Sequence, residues 1–382
     1  MAQTNRLISI ATGLMQARCS VKVICIKPTE NQRISKNNEY SGAYRNIEFV
    51  YSSGTPYRGK NPLRRTYLYF AGILMAGFML IKDNKRDKID VVFMGVTNLL
   101  NYVWFYLICK ALRIKYIQER SEYPFIKDKW SYFDKYTLYL YLTFVCKFFD
   151  GFVVITHRLH EYFKPHLRNN CPVFLLPILV EPQRFSLETE VASEEYIAYC
   201  GSMQGDKDGI PILIDAFKIF NDDYPGIKLY LIGSTHFNGF PQLQEKINSL
   251  AIQNHIVFTG PVIRDDLPQI LGKALMLVLA RPDNKQSEAG FPTKLGEYLA
   301  TGKPVVVTRV GEIPEYLEDH INAFIAPPGD SAQFAMKMKH VMLNYDEALK
   351  IGQAGRQLAQ TTFNSTLQGN ELAHWLKKLK NG

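Results

Sequence analysis

Residues 287–308, SEAGFPTKLGEYLATGKPVVVT, decide how the rest of the chain is read. The small-residue turn Gly290-Phe291-Pro292-Thr293 puts a proline where a helix should begin, Lys294 to Ala300 supply a turn or two of helix carrying Glu297, and Gly302 stops it. Lys303-Pro304 then leads into Val305-Val306-Val307, a β-branched run suited to a strand buried on both faces. A loop, a helix N-terminus and a return to a parallel strand make an anion site, because the first helical N–H groups have no partner and the dipole favours negative charge. Glu297, one turn in, is placed to reach a sugar or ribose hydroxyl; alone, such a residue is more often an exposed helix position.

Working outward, 382 residues exceed what one core usually supports, which points to two domains. A composition of 47% hydrophobic and 21% charged residues is globular. Six cysteines, at 19, 25, 109, 146, 171 and 200, form no C-x-x-C pair, which argues for reduced thiols in a cytosolic protein and against a structural zinc. No signal peptide pattern precedes the first helical pattern. Residues 1–185 hold 27 Lys and Arg against 13 Asp and Glu, and the remainder 18 against 23, so the first half is the basic one. That imbalance suits an anionic partner such as a membrane surface, a phosphate-bearing lipid or nucleic acid, or equally a solvated surface.

The chain opens on helical spacing at Leu7, Ile10, Ala11, Leu14 and Ala17, then a strand at 21–26. A nucleotide-type domain normally opens with a strand and a Gly-rich turn, so the first domain is expected to lack its first strand, through a misassigned start or a truncation. Residues 63–82 read as a helix, uncharged from Thr66 to Ile81, just short of the ~20 residues that span a bilayer. A buried core helix is expected, with membrane contact as the second reading. Strands at 89–95 and 115–119 flank a helix at 99–112, and Glu119-Arg120-Ser121-Glu122 ends the second strand. Residues 132–149 crowd Tyr and Phe beside Lys135 and Lys147, which suits either a membrane interface or packing. After strands at 152–155 and 173–176, the acidic stretch 181–195 reads as a linker, and strand–helix alternation restarts at Tyr196.

The second half alternates strands and helices closely enough to imply a parallel, doubly wound sheet with ligand beyond the strand C-termini. Four loops fall there: Gly201 to Gly209, Gly233-Ser234, Gly260-Pro261-Val262-Ile263, and Arg281 through the opening stretch. A nucleotide diphosphate fits this set: small residues allow backbone approach, Lys207 and Arg281 offset charge, Val262 and Ile263 flank a base, and Glu297 accepts ribose hydroxyls.

Taken together, YCGSMQGDKDGIPILIDAF, VFTGPV, LARPDNKQSEAGFPTKLGEYLATGKPVVVT and GEIPEYL resemble the donor half of a family-four, retaining GT-B glycosyltransferase of the bacterial capsule or O-antigen type. The likeness is strong over 196–365 and looser in the first half. It implies an α/β fold of two Rossmann-like, doubly wound domains facing a cleft: an acceptor-side domain at 1–182, a donor domain at 183–362, and a C-terminal helix at 363–382 packing back toward the first domain. It implies retaining transfer of a sugar from a nucleotide sugar, without metal or other cofactor, to a lipid-linked or polysaccharide acceptor in surface glycan synthesis. The place expected is the cytoplasm or the inner face of an anionic membrane, with no nucleic acid partner.

By the same resemblance, Lys207 holds the donor phosphates, Glu297 the ribose and Gly290 to Thr293 cradle diphosphate and sugar; Lys207 and Glu122 are the catalytic candidates. Gly201, Ser202, Val262, Ile263, Arg281, Gly290, Phe291, Pro292, Thr293 and Lys294 complete the donor pocket, while Glu119, Arg120 and Glu122 are the acceptor-side candidates, or else a surface salt-bridge cluster. The chain departs from the pattern twice. The glutamate usually eight residues before Glu297 is Ala289, with Glu288 beside it, and the arginine after the first glycine is Ser202. Arg281 or Lys294 is expected to supply the missing charge. Asp206-Lys207-Asp208 is formally a metal-binding D-x-D, discounted because a turn before a helix is rich in Asp. His157, His160 and His166 match no ligand face and read as surface or core residues. A nucleotide-sugar 2-epimerase and a binding protein without turnover are the alternative functions.

Overall fold

The computed structural model describes residues 2–31, 35, 37–124, 130–186 and 194–381; Met1 and residues 187–193 of the stretch read as a linker lie outside them. The second unit contains strands β8 (Tyr196–Cys200), β9 (Lys228–Ile232), β10 (Ile256–Gly260), β11 (Met276–Leu279), β12 (Val305–Thr308) and β13 (Phe324–Ala326). They form one all-parallel sheet in the order β10-β9-β8-β11-β12-β13. The helices between and after them are α6 (Ile210–Asn221), α7 (Phe240–Ser249), α8 (Leu267–Lys273), α9 (Lys285–Ala289), α10 (Lys294–Ala300), α11 (Ser331–Leu343) and α12 (Tyr345–Gln360). β11 and β12 are buried at every position, as the uninterrupted apolar runs MLVL and VVVT require of strands covered on both faces.

The first unit is built from α1 (Ala2–Gln16), β1 (Lys22–Cys25), β2 (Ser41–Tyr44), β3 (Ile47–Tyr51), α2 (Pro62–Arg86), β4 (Val91–Met94), α3 (Leu99–Leu112), β5 (Lys115–Arg120), α4 (Tyr132–Thr143), β6 (Gly151–Val154), α5 (His157–Phe163) and β7 (Val173–Leu175). Its strands make two sheets, β1-β3-β2 and β4-β5-β6-β7, which are not hydrogen-bonded to each other. β1 pairs in parallel with β3 alone and β4 with β5 alone, so each presents an open edge among the described residues. β2 pairs antiparallel with β3 through Arg45-Asn46, both with positive φ, the geometry of a two-residue hairpin turn.

The chain closes on α13 (Ser365–Asn381), which returns across the first unit and lies against α1. Leu372, Ala373 and Leu376 share a buried cluster with Ile10 and Leu14 of α1 and with Ile117 and Val153 on one face of the four-stranded sheet. Gly13 and Gly369 meet where the helices cross; a Cβ on Gly369 would fall 2.3 Å from the Gly13 carbonyl carbon. α2 links β3 of the three-stranded sheet to β4 of the four-stranded one and α3 links β4 to β5; their buried Ala76, Leu80, Tyr102 and Phe105 share a cluster with Tyr116 and Phe152, on the face opposite Ile117 and Val153. Asn61 caps α2 by accepting from Leu63 N, and Pro62 opens it. The helix is not fully enclosed: it buries Leu68, Gly72, Ile73, Ala76, Gly77 and Leu80 and leaves its opposite side in solvent.

Candidate active site

β8 and β11 are neighbours in the sheet, yet the chain leaves β8 toward β9 and β11 toward β12, in opposite directions. The loops after the two strands therefore part and open a crevice, where sheets of this order take ligands. Gly201 follows β8 with φ +155, and a Cβ there would fall 2.0 Å from Lys294 Nζ. Gly209 ends the same loop with φ +66, and its Cβ would fall 1.9 Å from the Ala280 carbonyl oxygen. Only glycine fits either place, and the loop is thereby held against the start of α10 and the end of β11.

Asp208 organises the charges beneath that loop. It is buried, accepts from Lys294 Nζ at 2.5 Å and from the Tyr199 hydroxyl at 2.8 Å, and has Arg281 Nε 3.8 Å away. Burial pushes its carboxyl up, but the Lys294 ammonium and the Arg281 guanidinium outweigh burial and hold it below the usual aspartate value. Burial draws the Arg281 guanidinium down, against Asp208. Arg281 is 1% exposed and donates to the Lys207 carbonyl at 3.2 Å, so it braces the loop from below. Lys294, at the first position of α10, is likewise committed to Asp208. Of the cations named from sequence, Lys207 alone stands at the surface of the cleft. Its ammonium lies 2.6 Å from Glu122 of the first unit, with both side chains nearly half exposed.

Glu297 is partly buried and accepts from Arg184 Nη1 at 3.2 Å; Arg184 also donates to the Arg264 carbonyl. Gly290, Phe291 and Pro292 are buried, and Phe291 stacks on Tyr316 with ring centres 5.3 Å apart, so its ring belongs to the core. Thr293, the residue before α10, is half-buried. Ser202 Oγ accepts from Gln204 N within the loop. Val262 is half-buried against the core and Ile263 stands in solvent at 72% exposure.

On the opposite lip, strand alternation separates the three acceptor-side candidates. Glu119 is fully buried and accepts from Arg6 Nε at 2.6 Å, while Arg6 also donates to the Leu176 and Pro177 carbonyls. Arg120 points the other way, between the rings of Tyr141 and Phe163, and is 3% exposed. Both sit inside the domain, and Glu122, past the strand end, is the one that reaches the cleft.

The start of α5 reaches across to the second unit. Thr156 Oγ1 donates to the Ala289 carbonyl at 3.1 Å, His157 N and Nδ1 meet Glu312 at 3.0 and 2.6 Å, and Arg158 pairs with Glu288. Ala289 is thus enclosed with its carbonyl taken, and its neighbour Glu288 is drawn to Arg158. Sequence reading missed Tyr199, Asp208, Arg184, Thr156, Arg158 and Glu312. Asp208 had a visible signal in the D-x-D triplet; Arg184 had none, lying in a stretch read as linker.

Comparison with known proteins bears on this geometry. Residues 194–344 match the family model described as Glycosyl transferases group 1. The chain is 23% identical over 202 residues to the amylovoran biosynthesis glycosyltransferase AmsK of Erwinia amylovora, covering 52% of this chain and 49% of that protein. It therefore spans about half the length of that curated relative. Among solved structures it superposes on a glycosyltransferase from Rickettsia africae with a TM-score of 0.72 at 17% identity, over 98% of this chain and 94% of the other. Anabaena HepE, solved in complex with UDP-glucose, superposes with a TM-score of 0.67 at 16% identity, over 87% and 86%. These likenesses give the fold of GT-B glycosyltransferases, two Rossmann-like units of parallel strands. Over residues 194–344, the second unit of this chain is similar to the glycosyl transferases group 1 family.

Proposed function

We propose that the protein is a retaining, metal-independent glycosyltransferase that moves a sugar from a nucleoside-diphosphate sugar to a lipid-linked or polysaccharide acceptor in surface glycan synthesis, at the cytoplasmic face of a membrane. The observation that carries the reading is the crevice between β8 and β11, where Lys207, the α10 N-terminus and Glu297 stand at the ends of one parallel sheet. The bond from the anomeric carbon to the diphosphate breaks and a bond to the acceptor oxygen forms on the same face, with the acceptor's proton leaving to the departing phosphate. The transition state is oxocarbenium-like, so the protein's task is to stabilise negative charge on the leaving group. Lys207 does so on leaving Glu122, and Glu297 takes the ribose hydroxyls on leaving Arg184. Asp208 is engaged by Lys294 and Tyr199 with Arg281 close by, which supports reading the D-x-D triplet as a structural turn rather than a metal ligand set.

Nucleoside diphosphates and nucleotide sugars, screened by thermal shift, test the reading, because a ligand specific to the native state raises its melting temperature. One diphosphate should stabilise the wild type and lose most of its effect in Lys207→Ala; no shift with any nucleotide would refute donor binding. A second reading, donor binding without turnover, is favoured by one observation: where the resemblance expects a carboxylate on the donor sugar, Ala289 is enclosed and Glu288 is turned to Arg158. Stabilisation by a nucleotide sugar with neither transfer nor donor hydrolysis would select it.

A further inference from the structure

We infer that the outer face of α2 and α3 is a docking surface for an anionic lipid bilayer. Leu63, Tyr67, Phe70, Leu74 and Phe78 recur at three- and four-residue spacing on α2 and are 49% to 79% exposed. This stripe lies opposite the face that packs on the sheet, so α2 is apolar on two sides. Leu100, Val103 and Leu107 repeat the pattern on α3 and are also exposed. The helices lie side by side: a Cβ on Gly77 of α2 would fall 2.8 and 2.9 Å from Ile108 and Trp104 of α3. The two stripes therefore adjoin, and an apolar surface of that extent on a folded domain marks a contact.

The rim says what the contact is with. No charged residue occurs from Thr66 to Ile81 on α2 or from Leu99 to Cys109 on α3. Cations stand at both ends: Arg58, Lys60 and Arg64 at the head of the stripe, and Lys82, Lys85 and Arg86 after it, with Lys110 at the end of α3. Asp83, among them, is already paired with Lys22, and Asp87 stands exposed at the end of the helix, offset by Lys82, Lys85 and Arg86. An apolar centre with a basic rim complements acyl chains beneath anionic headgroups. A second copy docking through the same face would set one basic rim against another, which charge repulsion opposes. α2 is long and apolar enough to cross a membrane by length and composition, but Gly72, Ile73, Ala76, Gly77 and Leu80 are buried on the domain, so it lies along the bilayer instead. Lys27, Arg58 and Arg65 also line a cleft with Tyr69 at the head of α2, beside the stripe, where a phosphate headgroup fits.

Co-sedimentation of the full chain with phosphatidylcholine vesicles, with and without phosphatidylglycerol, tests this without requiring turnover. The wild type should partition onto phosphatidylglycerol vesicles and be released in part by high salt. Leu74→Asp with Phe78→Asp should lower the partition coefficient about tenfold or more. Arg58→Gln, Lys60→Gln and Arg64→Gln together should lower it by about a hundredfold and weaken its salt dependence, Lys82, Lys85, Arg86 and Lys110 remaining. All these side chains are exposed, so melting temperatures should not move. Equal partitioning of the wild type and both variants, or no binding to either vesicle, would overturn the inference. So would a wild-type dimer in sedimentation velocity that Leu74→Asp with Phe78→Asp makes monomeric and that binds no vesicles.

Discussion

Asp208 holds the donor side of the cleft together, because one buried carboxylate faces two cations and a tyrosine hydroxyl. Asp208→Asn would leave Lys294 and Arg281 uncompensated in the interior, a loss of about 3 to 5 kcal/mol of stability at neutral pH in chemical denaturation. The sign with pH follows from its lowered folded value. The contribution is fully present above the unfolded value of about 3.9 and is lost as pH falls through the lower folded one, so the variant's melting temperature should vary less below pH 4. Lys207 behaves oppositely, since its pair with Glu122 is nearly half exposed and contributes little to folding. Lys207→Ala should leave the melting temperature unchanged and lower kcat by the equivalent of about 2 to 4 kcal/mol in a donor-turnover assay.

Where elements cross, close backbone approaches set how near they can come. At the α1–α13 crossing, a Cβ on Gly13 would fall 2.4 Å from the Ser365 carbonyl oxygen, so the helices would have to separate. Gly13→Ala should cost about 1 to 3 kcal/mol by denaturant titration. Gly226→Ala, with nothing within 4 Å of its Cβ, should be near neutral as a control. Much of the element order is legible in the sequence, because β11 and β12 are continuous apolar runs and α10 is framed by Pro292 and Gly302. β2 was not legible: all four residues are exposed, it carries no alternation, and it is a strand through its pairing with β3 alone. α9 escaped for a similar reason, since five residues show no period; its mark was the reciprocal cap between Asn284 and Ser287.

Across the whole molecule, the two units meet at the start of α5, at Lys207–Glu122 and at Arg45–Asp265, while Gly296 of α10 packs on Val180 and Ile178. Glu312 is 2% exposed, and burial pushes its carboxyl up against the hydrogen bonds from His157. His157→Ala removes the Nδ1 partner and should cost about 1 to 3 kcal/mol, read in chemical denaturation. With Arg158→Ala added, the units should part enough to raise the radius of gyration in small-angle scattering. An unchanged radius would show that the remaining contacts, with the return of α13 onto α1, are sufficient to hold them.

By itself the sequence determined what is local: apolar runs that become buried strands, glycines that permit tight loops at strand ends, and the order of motifs that points to a nucleotide-binding parallel sheet. Tertiary structure decided which charges are free to act. Arg281, Glu119 and Arg120 look like site residues in the chain and folding encloses all three, while half-buried Lys294 is tied to Asp208; a charge near a strand end is buried or presented according to which side of the pleat it occupies and which partner meets it there. That choice depends on residues distant in sequence, such as Arg6 for Glu119 and Asp208 for Lys294, and no local pattern encodes it. The outward apolar stripe of α2 belongs to the same class: its period is visible in the chain, but which of its two faces the domain covers is set by the sheet beneath it.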